Sequence, residues 1–598
     1  MQPTRRLVPS LLLPLGLLAA VAPAQTGRSG PQDVLPASSY AAAAFCGLER
    51  CTGSVDAHDA AAMVRQFLQR LPDETYQRHV GTWLTRISTQ LRRGLERGGV
   101  SPTSVRALLQ RPMALGVGRP TLRGMGPSLA LVIDEGEAGA DIDALFDLLA
   151  QVLRHEEPEL REEPLQLEGA AVRMLRGGQL PTVMLAHGRG LAVLTNSEGY
   201  LREILSTAAG RQPGLAKSSA LAASRDRLGA APLVEVFVHT QPVVSMLDPL
   251  LPYEAAELGR ALGVSSLDGI YAAMAPSGGG TVETLDLMLR GDPSGLLKAA
   301  LSGGADLGAA AFCSDETLAF GSLHLDPLAT VKAVDRLLAM LPEEARDEVQ
   351  RDLGREMKGA FRQLGATPQE VQQLLAALGG SVSVAMTMGK GAVPIPEALL
   401  IVPVRDEAVV QRWIERVQQL AVAKGGVEWR SRDADGTTIH YCRLHEGVPL
   451  SPSFVLTNGY LLASTTTGVL TDALKQRDDA DTSLARCRDF AAAASQNTGA
   501  AAFLHLRPSR GVENNWRMLE TFALPQLDRF AEQIGFGRDA LPDQEAIVRA
   551  AGEITLSVTV DADGVRLRSR SNLGLGGMVV GGAVLLDELL QRAAGKIY

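Results

Sequence analysis

The segment TIHYCRLHEG holds the side chains that come nearest to a metal site in this sequence. His440 and Cys442 are two residues apart, so on a strand their side chains point to one face, and His445 follows at a turn. Imidazole nitrogen and thiolate sulfur are donors that zinc prefers. A fourth donor is not identifiable, and aligning the two parts of the chain places Arg173 and Leu175 at the matching positions. We therefore expect ordinary strand residues here and assign no metal ligand.

Three other polar segments have the residue types of a site. VDAHDA places Asp56, His58 and Asp59 at a predicted helix start, where acidic side chains and an N-cap are ordinary features. HEEPELREE (155–163) offers carboxylates to a hard cation such as calcium, but it lacks the ligand spacing of a calcium loop. GVGRPTLRGMG (116–126) has closely spaced glycines, yet its proline and flanking apolar strands indicate a turn instead of a phosphate-binding loop. We interpret all three as structural segments.

The common catalytic motifs are missing from the sequence. It contains no HExxH, GxSxG, SxxK or P-loop, and no GxGxxG between a strand and a helix. His239 and His505 match when FVHTQP is aligned with FLHLRP, and we expect a shared structural role for them, such as a hydrogen bond at a strand end. No nucleophile partner is identifiable for either histidine. We therefore predict a protein that is not an enzyme, with no catalytic, cofactor-binding or metal-binding residue.

The cysteines do not form a disulfide framework, because their number is odd and their spacing irregular. The five are Cys46, Cys51, Cys313, Cys442 and Cys487. Cys46 and Cys51 are near enough in sequence to close a small loop, and Gly47 allows a bend. Burial as small apolar side chains is the interpretation we favour. A disulfide between them stays open.

Composition and charge limit the class of partner. The chain has 598 residues, of which 46% are hydrophobic and 21% charged, so it is globular and long enough for several domains. Its formal net charge is −9 and it has no polybasic face interleaved with aromatic residues, which excludes nucleic acid as a partner. In VRLRSRS, Arg566, Arg568 and Arg570 alternate as they would on the solvent-facing side of a strand.

The N-terminus has the three parts of an export signal. Arg5 and Arg6 form a positive start, Leu7 to Val21 an apolar run, and Ala22-Pro23-Ala24 a small-residue cleavage site. An uncleaved anchor helix is the alternative, but the run is short and prolines interrupt it. We expect cleavage after Ala24, so that 1–24 is a signal peptide, 25–35 a linker, and the product periplasmic or secreted.

Similar segments recur in the two parts of the chain at a nearly constant distance. AAFC occurs at 43–46 and at 310–313, LAVLTNSEGYLREIL lies without gaps on YLLASTTTGVLTDAL, and LALVI falls opposite ALLIV. All the matches keep their order along the chain. We predict a tandem duplication of a whole domain, with homologous units at 36–302 and 303–598.

Local patterns in the first unit alternate between strands and helices. SYAAAAFCGL, MALGVG and SLALVIDEG are typical of strands, and 74–97 and 141–155 have helical spacing of apolar residues. Several hairpins follow, marked by paired apolar runs around glycine-containing turns. Because hairpins outnumber βαβ signals, the predicted class is α+β, with a curved, mostly antiparallel sheet packed against helices in each unit.

The C-terminal run LGLGGMVVGGAVLLDELL is apolar and rich in glycine, with Gly577 and Gly581 in GxxxG spacing. Its uncharged part, Leu573 to Leu586, is short for a membrane span. One interpretation is a membrane-associating or dimerising helix. We favour the other, a buried terminal helix that closes the second unit.

The export signal, the opening apolar strand and the order of strand, glycine-containing turn and LREIL-type helix resemble bacterial exported proteins of a domain-of-unknown-function family. The resemblance covers most of the mature chain, implies no known activity and carries over no functional residue. We predict an exported, non-enzymatic binding or envelope-associated protein. Its hydrophobic ligand or protein partner would occupy a cleft between the units or a groove within each. The alternative is a secreted or periplasmic, hydrolase-like enzyme whose site has no sequence motif.

Overall fold

The computed structural model describes residues 30–595 with internal gaps. The gaps are 55–57, 98, 121–126, 179–180, 248–265, 291–302, 341–345, 348–364, 390–394, 426–427, 435, 443–449, 479, 562 and 573. The predicted signal peptide and most of the predicted linker lie outside the described residues. We call residues 30–290 the first half of the chain and residues 303–595 the second half.

Ten strands form in the first half, at the places where apolar residues alternate with polar ones or form short runs between turns. They are β1 (Ala41–Phe45), β2 (Met113–Pro120), β3 (Pro127–Asp134), β4 (Arg161–Leu167), β5 (Ala170–Arg176), β6 (Val183–Gly188), β7 (Leu191–Thr195), β8 (Val234–His239), β9 (Leu267–Ser277) and β10 (Gly280–Leu289). Tight turns join the hairpins. Arg189 and Gly190, both with positive φ, close β6 onto β7. The three strands predicted from the sequence are confirmed.

Ten further strands form in the second half. They are β11 (Ala319–His324), β12 (Ser381–Met388), β13 (Pro396–Pro403), β14 (Trp429–Ala434), β15 (Thr437–Cys442), β16 (Ser453–Thr457), β17 (Tyr460–Ser464), β18 (Ala502–Leu506), β19 (Ile554–Asp561) and β20 (Gly564–Ser571).

The helices lie between strands and after the last one. In the first half they are α1 (Leu48–Gly53), α2 (Asp59–Arg70), α3 (Asp73–Tyr76), α4 (Thr82–Arg97), α5 (Pro102–Leu109), α6 (Gly139–Glu156), α7 (Glu198–Ala208), α8 (Ser219–Leu228) and α9 (Thr240–Leu247). In the second half they are α10 (Pro327–Met340), α11 (Pro368–Ala377), α12 (Glu407–Gly425), α13 (Thr467–Asp478), α14 (Arg488–Gln496), α15 (Pro508–Met518), α16 (Leu524–Ile534), α17 (Gln544–Ala551) and α18 (Leu575–Ala593). Short π-helical segments, Gln77–Gly81 and Leu519–Ala523, join α3 to α4 and α15 to α16.

All twenty strands belong to one antiparallel sheet. Pairing gives the order β4-β5-β6-β7-β3-β2-β1-β8-β9-β10 in the first half and continues as β20-β19-β18-β11-β12-β13-β17-β16-β15-β14 in the second. The predicted fold class, an α+β fold of two units that each carry their own sheet, is therefore wrong. The reason is the long edge strands β10 and β20, whose unpaired backbone groups satisfy one another across eight residue pairs.

The seam between the halves has a local twofold relationship. Glu283 faces Ser569 and Leu285 faces Leu567 across β10 and β20. A shift of 284 residues relates β9 and β10 to β19 and β20, since Leu233 donates to the Met274 carbonyl as Ala501 does to that of Val558. That shift exchanges the two facing pairs, so the local axis passes between Thr284 and Arg568, which face each other.

The two halves repeat the same strand order, and part of the sequence alignment falls on equivalent residues. Ala130 faces Thr195 on β7, and Leu399 faces Ser464 on β17. Both members of the pair are shifted by 269 residues, as aligning LALVI with ALLIV and LAVLTNSEGYLREIL with YLLASTTTGVLTDAL requires. The boundaries of the two homologous units stay predictions.

Two of the matches do not join equivalent positions. AAFC belongs to β1 and the residue after it in the first half, but to a 3-10 turn, Leu307–Phe312, in the second. The strand equivalent to β1 is β11, because each is flanked by the corresponding neighbours. The pairing of His239 with His505 is also wrong. The His239 amide donates to Tyr40 as the Arg507 amide donates to Leu318, so His239 corresponds to Arg507.

Helices cover one face of the sheet in both halves, and we call it the front face. In the first half α7 and α8 pack there, and the ring of Tyr200 lies on β2. Gly118 leaves room for that ring, since a Cβ would lie 2.8 Å from a ring carbon. In the second half α13 and α14 pack on the front face, with Phe490 against Phe320 and Phe503. The front face therefore carries a core in each half.

The opposite face, which we call the back face, is covered unequally. In the first half α1, α5, α6 and α18 bury it in a core that contains Phe45, Met113 and Val580. In the second half the corresponding cluster is small and lies beneath α11 and α12, around Val404 and Val410. The prediction that the C-terminal run closes the second unit is wrong, since α18 crosses the seam and packs on the first half.

Candidate functional site

The back face of the second half carries a shallow apolar groove of about 320 Å³. It lies over the central strands β11, β12, β18 and β19, where side chains of one parity point away from the front-face core. We call this surface the open apolar face. Its lining side chains are those of Leu323, Val382, Val384, Leu504, Leu556 and Val558.

Several side chains of this surface are exposed to a degree unusual for apolar residues. Val384 is 43% exposed and Leu323 is 39% exposed. Met386 on β12 continues the surface, as do Leu567 and Leu285, which face one another at the seam. Monomeric soluble proteins rarely expose a contiguous apolar patch of this kind without a binding role.

The equivalent surface of the first half is buried. Phe45 faces Met113 across β1 and β2, as Leu323 faces Val382 across β11 and β12. Phe45 is 4% exposed and Met113 is 6% exposed. The same part of the sheet is therefore a core in one half and an open surface in the other.

The element that makes the difference is α18. Its Val580, Ala583 and Leu590 are buried in the back-face core of the first half. Ion pairing fixes its position, since the Arg106 guanidinium lies 2.7 Å from a carboxylate oxygen of Asp587. An apolar, glycine-rich helix thus fits the back face of this sheet.

The candidate zinc residues are engaged in ordinary contacts. His440 stacks on the ring of Phe454 with centroids 5.2 Å apart, and its Nδ1 lies 3.2 Å from the Ser431 hydroxyl. Cys442 is buried, and burial raises the pKa of its thiol. His445 lies outside the described residues. Among the described residues no three His, Cys, Asp or Glu side chains converge as a metal site requires.

The other polar segments have structural roles where the structure describes them. His58 itself caps α2, its Nδ1 accepting from the amide of Ala61, while Asp59 accepts from Asn572; Asp56 lies outside the described residues. In HEEPELREE, Glu162 accepts from Arg154 and Arg173, which hold its pKa below the usual value.

His239 and His505 differ in their surroundings. His505 is 1% exposed, stacked between aromatic rings, with Nδ1 3.4 Å from the Thr555 hydroxyl and Nε2 3.3 Å from a Glu553 oxygen. Burial, aided by the charge of Arg507, lowers its pKa to about 4, so the imidazole is neutral at pH 7. His239 is only partly buried beside Phe237. A shared role for the two is not what the structure shows.

The alternating arginines of β20 do not simply face solvent. Arg566 lies 3.5 Å from both Asp286 and Asp561, and Arg568 is partly buried, with a pKa lowered by burial and by its arginine neighbours. Arg568 and Arg570 line a groove of about 340 Å³ on the front face at the seam. Both α8 and α14 end beside it, and the negative ends of these helices offset the arginine charge.

Sequence reasoning missed the open apolar face, although a signal for it is present. In β12, SVSVAMTM, the small polar Ser381 and Ser383 are buried, while Val382 and Val384 point to the back face. Period-two alternation identifies two faces of a strand but not which one lies against the core. The exposed apolar side could therefore be located only after folding.

A comparison of the chain with protein families, curated proteins and solved structures finds no match. No helix in the described part of the chain is both long enough and apolar enough to span a membrane.

Proposed function

We propose that this chain is an exported, non-enzymatic binding protein whose open apolar face binds an apolar helix of a partner polypeptide. One observation carries the proposal: the equivalent surface in the first half is filled by α18, whereas the second half leaves the same surface open. The shape and chemistry that α18 satisfies in one half define what the other half accepts. The export signal places the partner in the periplasm or outside the cell.

The energetics favour a reversible complex. Each exposed Val or Leu of the open apolar face contributes about 1 kcal/mol when a helix covers the remaining exposed part of its side chain. Six such side chains exceed the cost of association by a modest margin, which corresponds to micromolar affinity. Helix-in-groove binding of this kind depends on a few apolar anchors spaced one turn apart.

The test uses the mature protein and a synthetic peptide of residues 573–595, flanked by lysines for solubility and carrying a fluorescent label. Fluorescence anisotropy should show saturable binding to the wild type. Val384→Glu places a charge in the groove and should weaken binding at least about tenfold, which is 1.4 kcal/mol. Val417→Glu is the matched control, because Val417 on α12 is 45% exposed and lies outside the groove.

The outcomes separate cleanly. Absence of binding to the wild type, or equal affinity of the wild type and Val384→Glu, would show that this surface is not a helix-binding site. Circular dichroism of both variants should match that of the wild type, since both substituted side chains are already largely exposed. An effect of Val417→Glu as large as that of Val384→Glu would also count against the proposal.

A further inference from the structure

Cys46 and Cys51 lie where β1 turns into α1. Gly47 makes the bend with a φ of 96°, and a Cβ there would lie 2.0 Å from the carbonyl oxygen of Gln110. This bend places Cys46 just before the helix and Cys51 within its first turns. The two sulfur atoms are 3.8 Å apart, close enough for a hydrogen bond between the thiols.

The pair is buried beneath the back-face helices. Cys46 is 3% exposed and Cys51 is fully buried, in the same core as Val580 of α18. Burial and the neighbouring Cys51 raise the pKa of the Cys46 thiol, while the hydrogen bond from Cys46 lowers the pKa of Cys51. Cys51 is therefore the sulfur that becomes a thiolate first.

We propose that Cys46 and Cys51 are a redox pair that closes into an intramolecular disulfide. Their separation and the bend at Gly47 bring two sulfurs into contact, and in the described part of the chain no other two cysteine sulfurs are in contact. The required oxidant is a small-molecule disulfide such as oxidised glutathione. This site is independent of the open apolar face, which lies in the other half of the chain.

The reaction is a two-step thiol–disulfide exchange. The Cys51 thiolate attacks one sulfur of oxidised glutathione, which breaks its S–S bond, forms a mixed disulfide and releases one glutathione thiolate. The Cys46 thiolate then attacks the Cys51 sulfur and releases the second glutathione. One S–S bond is broken and one formed, and the two thiol protons end on two molecules of reduced glutathione.

Access to the pair is controlled by α18. Because both sulfurs are buried under the core that α18 completes, oxidation of the folded protein requires local opening of this helix. Val580→Asp weakens the seat of α18, and we expect it to speed oxidation at least about tenfold.

The experiment incubates the reduced, full mature protein with oxidised glutathione, unfolds it, alkylates the free thiols and measures the mass. Two of the five cysteines should escape alkylation, and trypsin should release residues 29–50 joined to 51–65, since cleavage at Arg50 separates the two sulfurs. Cys51→Ser should abolish the linked peptides, and Cys487→Ser, the matched control, should leave them unchanged.

Three results would overturn the inference. They are five alkylated cysteines after prolonged oxidation, a stable glutathione adduct without the linked peptides, and linkage of a different pair. Each of these is read on the wild type, so the conclusion holds even where a cysteine variant folds poorly.

Discussion

Protonation of His505 should make the second half unstable in mild acid. The imidazole is 1% exposed, and its pKa falls from 6.5 to about 4 in the folded chain. At about 1.4 kcal/mol per pKa unit, this difference is equivalent to about 3 kcal/mol. The lowered pKa means that the unfolded chain binds the proton more tightly, so the stability contribution is complete above pH 6.5 and is lost as the pH falls toward 4. About 2 kcal/mol should be lost between pH 7.5 and pH 5.

The perturbation is His505→Phe, which replaces the histidine by the residue type of its structural equivalent. His505 faces Phe320 across β18 and β11 as Phe237 faces Ala42 across β8 and β1. Urea unfolding, followed by far-UV circular dichroism at several pH values between 7.5 and 4.5, gives the difference between wild type and variant. The variant should lose less stability than the wild type on acidification, by about 2 kcal/mol at pH 5.

Two charged neighbours enter the design. Arg507 adds to the lowering of the histidine pKa, whereas Glu553, whose own pKa is raised by burial, lies within 3.3 Å and opposes it. A raised carboxyl pKa contributes stability that is lost as the pH rises, so the same series on Glu553→Gln separates the two contributions. Identical pH slopes for the wild type and His505→Phe would refute the reasoning.

Two further predictions concern packing and are tested by the same urea unfolding measurements. Gly118→Val should destabilise the protein by about 2–3 kcal/mol, because its Cβ would enter the ring of Tyr200, whereas Gly53→Ala, with no atom within 4 Å of the new Cβ, should stay within about 1 kcal/mol of the wild type. Val580→Asp should cost at least about 3 kcal/mol by placing an unpaired charge in the core beneath α18, and equal effects of Val580→Asp and of Leu585→Asp, at a position 38% exposed, would contradict the assigned face of the helix.

Much of the local structure was readable from the sequence. The strands β1 to β3 and the helices α4 and α6 were predicted, because apolar periodicity and turn residues act over a few neighbours. The match of LAVLTNSEGYLREIL with YLLASTTTGVLTDAL found truly equivalent positions, since it spans a strand, a turn and a helix without a gap. The AAFC match failed because four small residues fit a strand or a 3-10 turn equally well.

The sequence by itself determined that the chain repeats one order of strands, with polar and apolar residues alternating on each. Only the tertiary structure decided that β10 and β20 join the halves into one sheet, that α18 crosses to the first half, and that Val384 remains exposed while its counterpart surface is buried. The physical reason is that alternation specifies two faces but not their covers. Which helix covers which face depends on contacts between residues hundreds of positions apart, and these contacts leave no local pattern in the sequence.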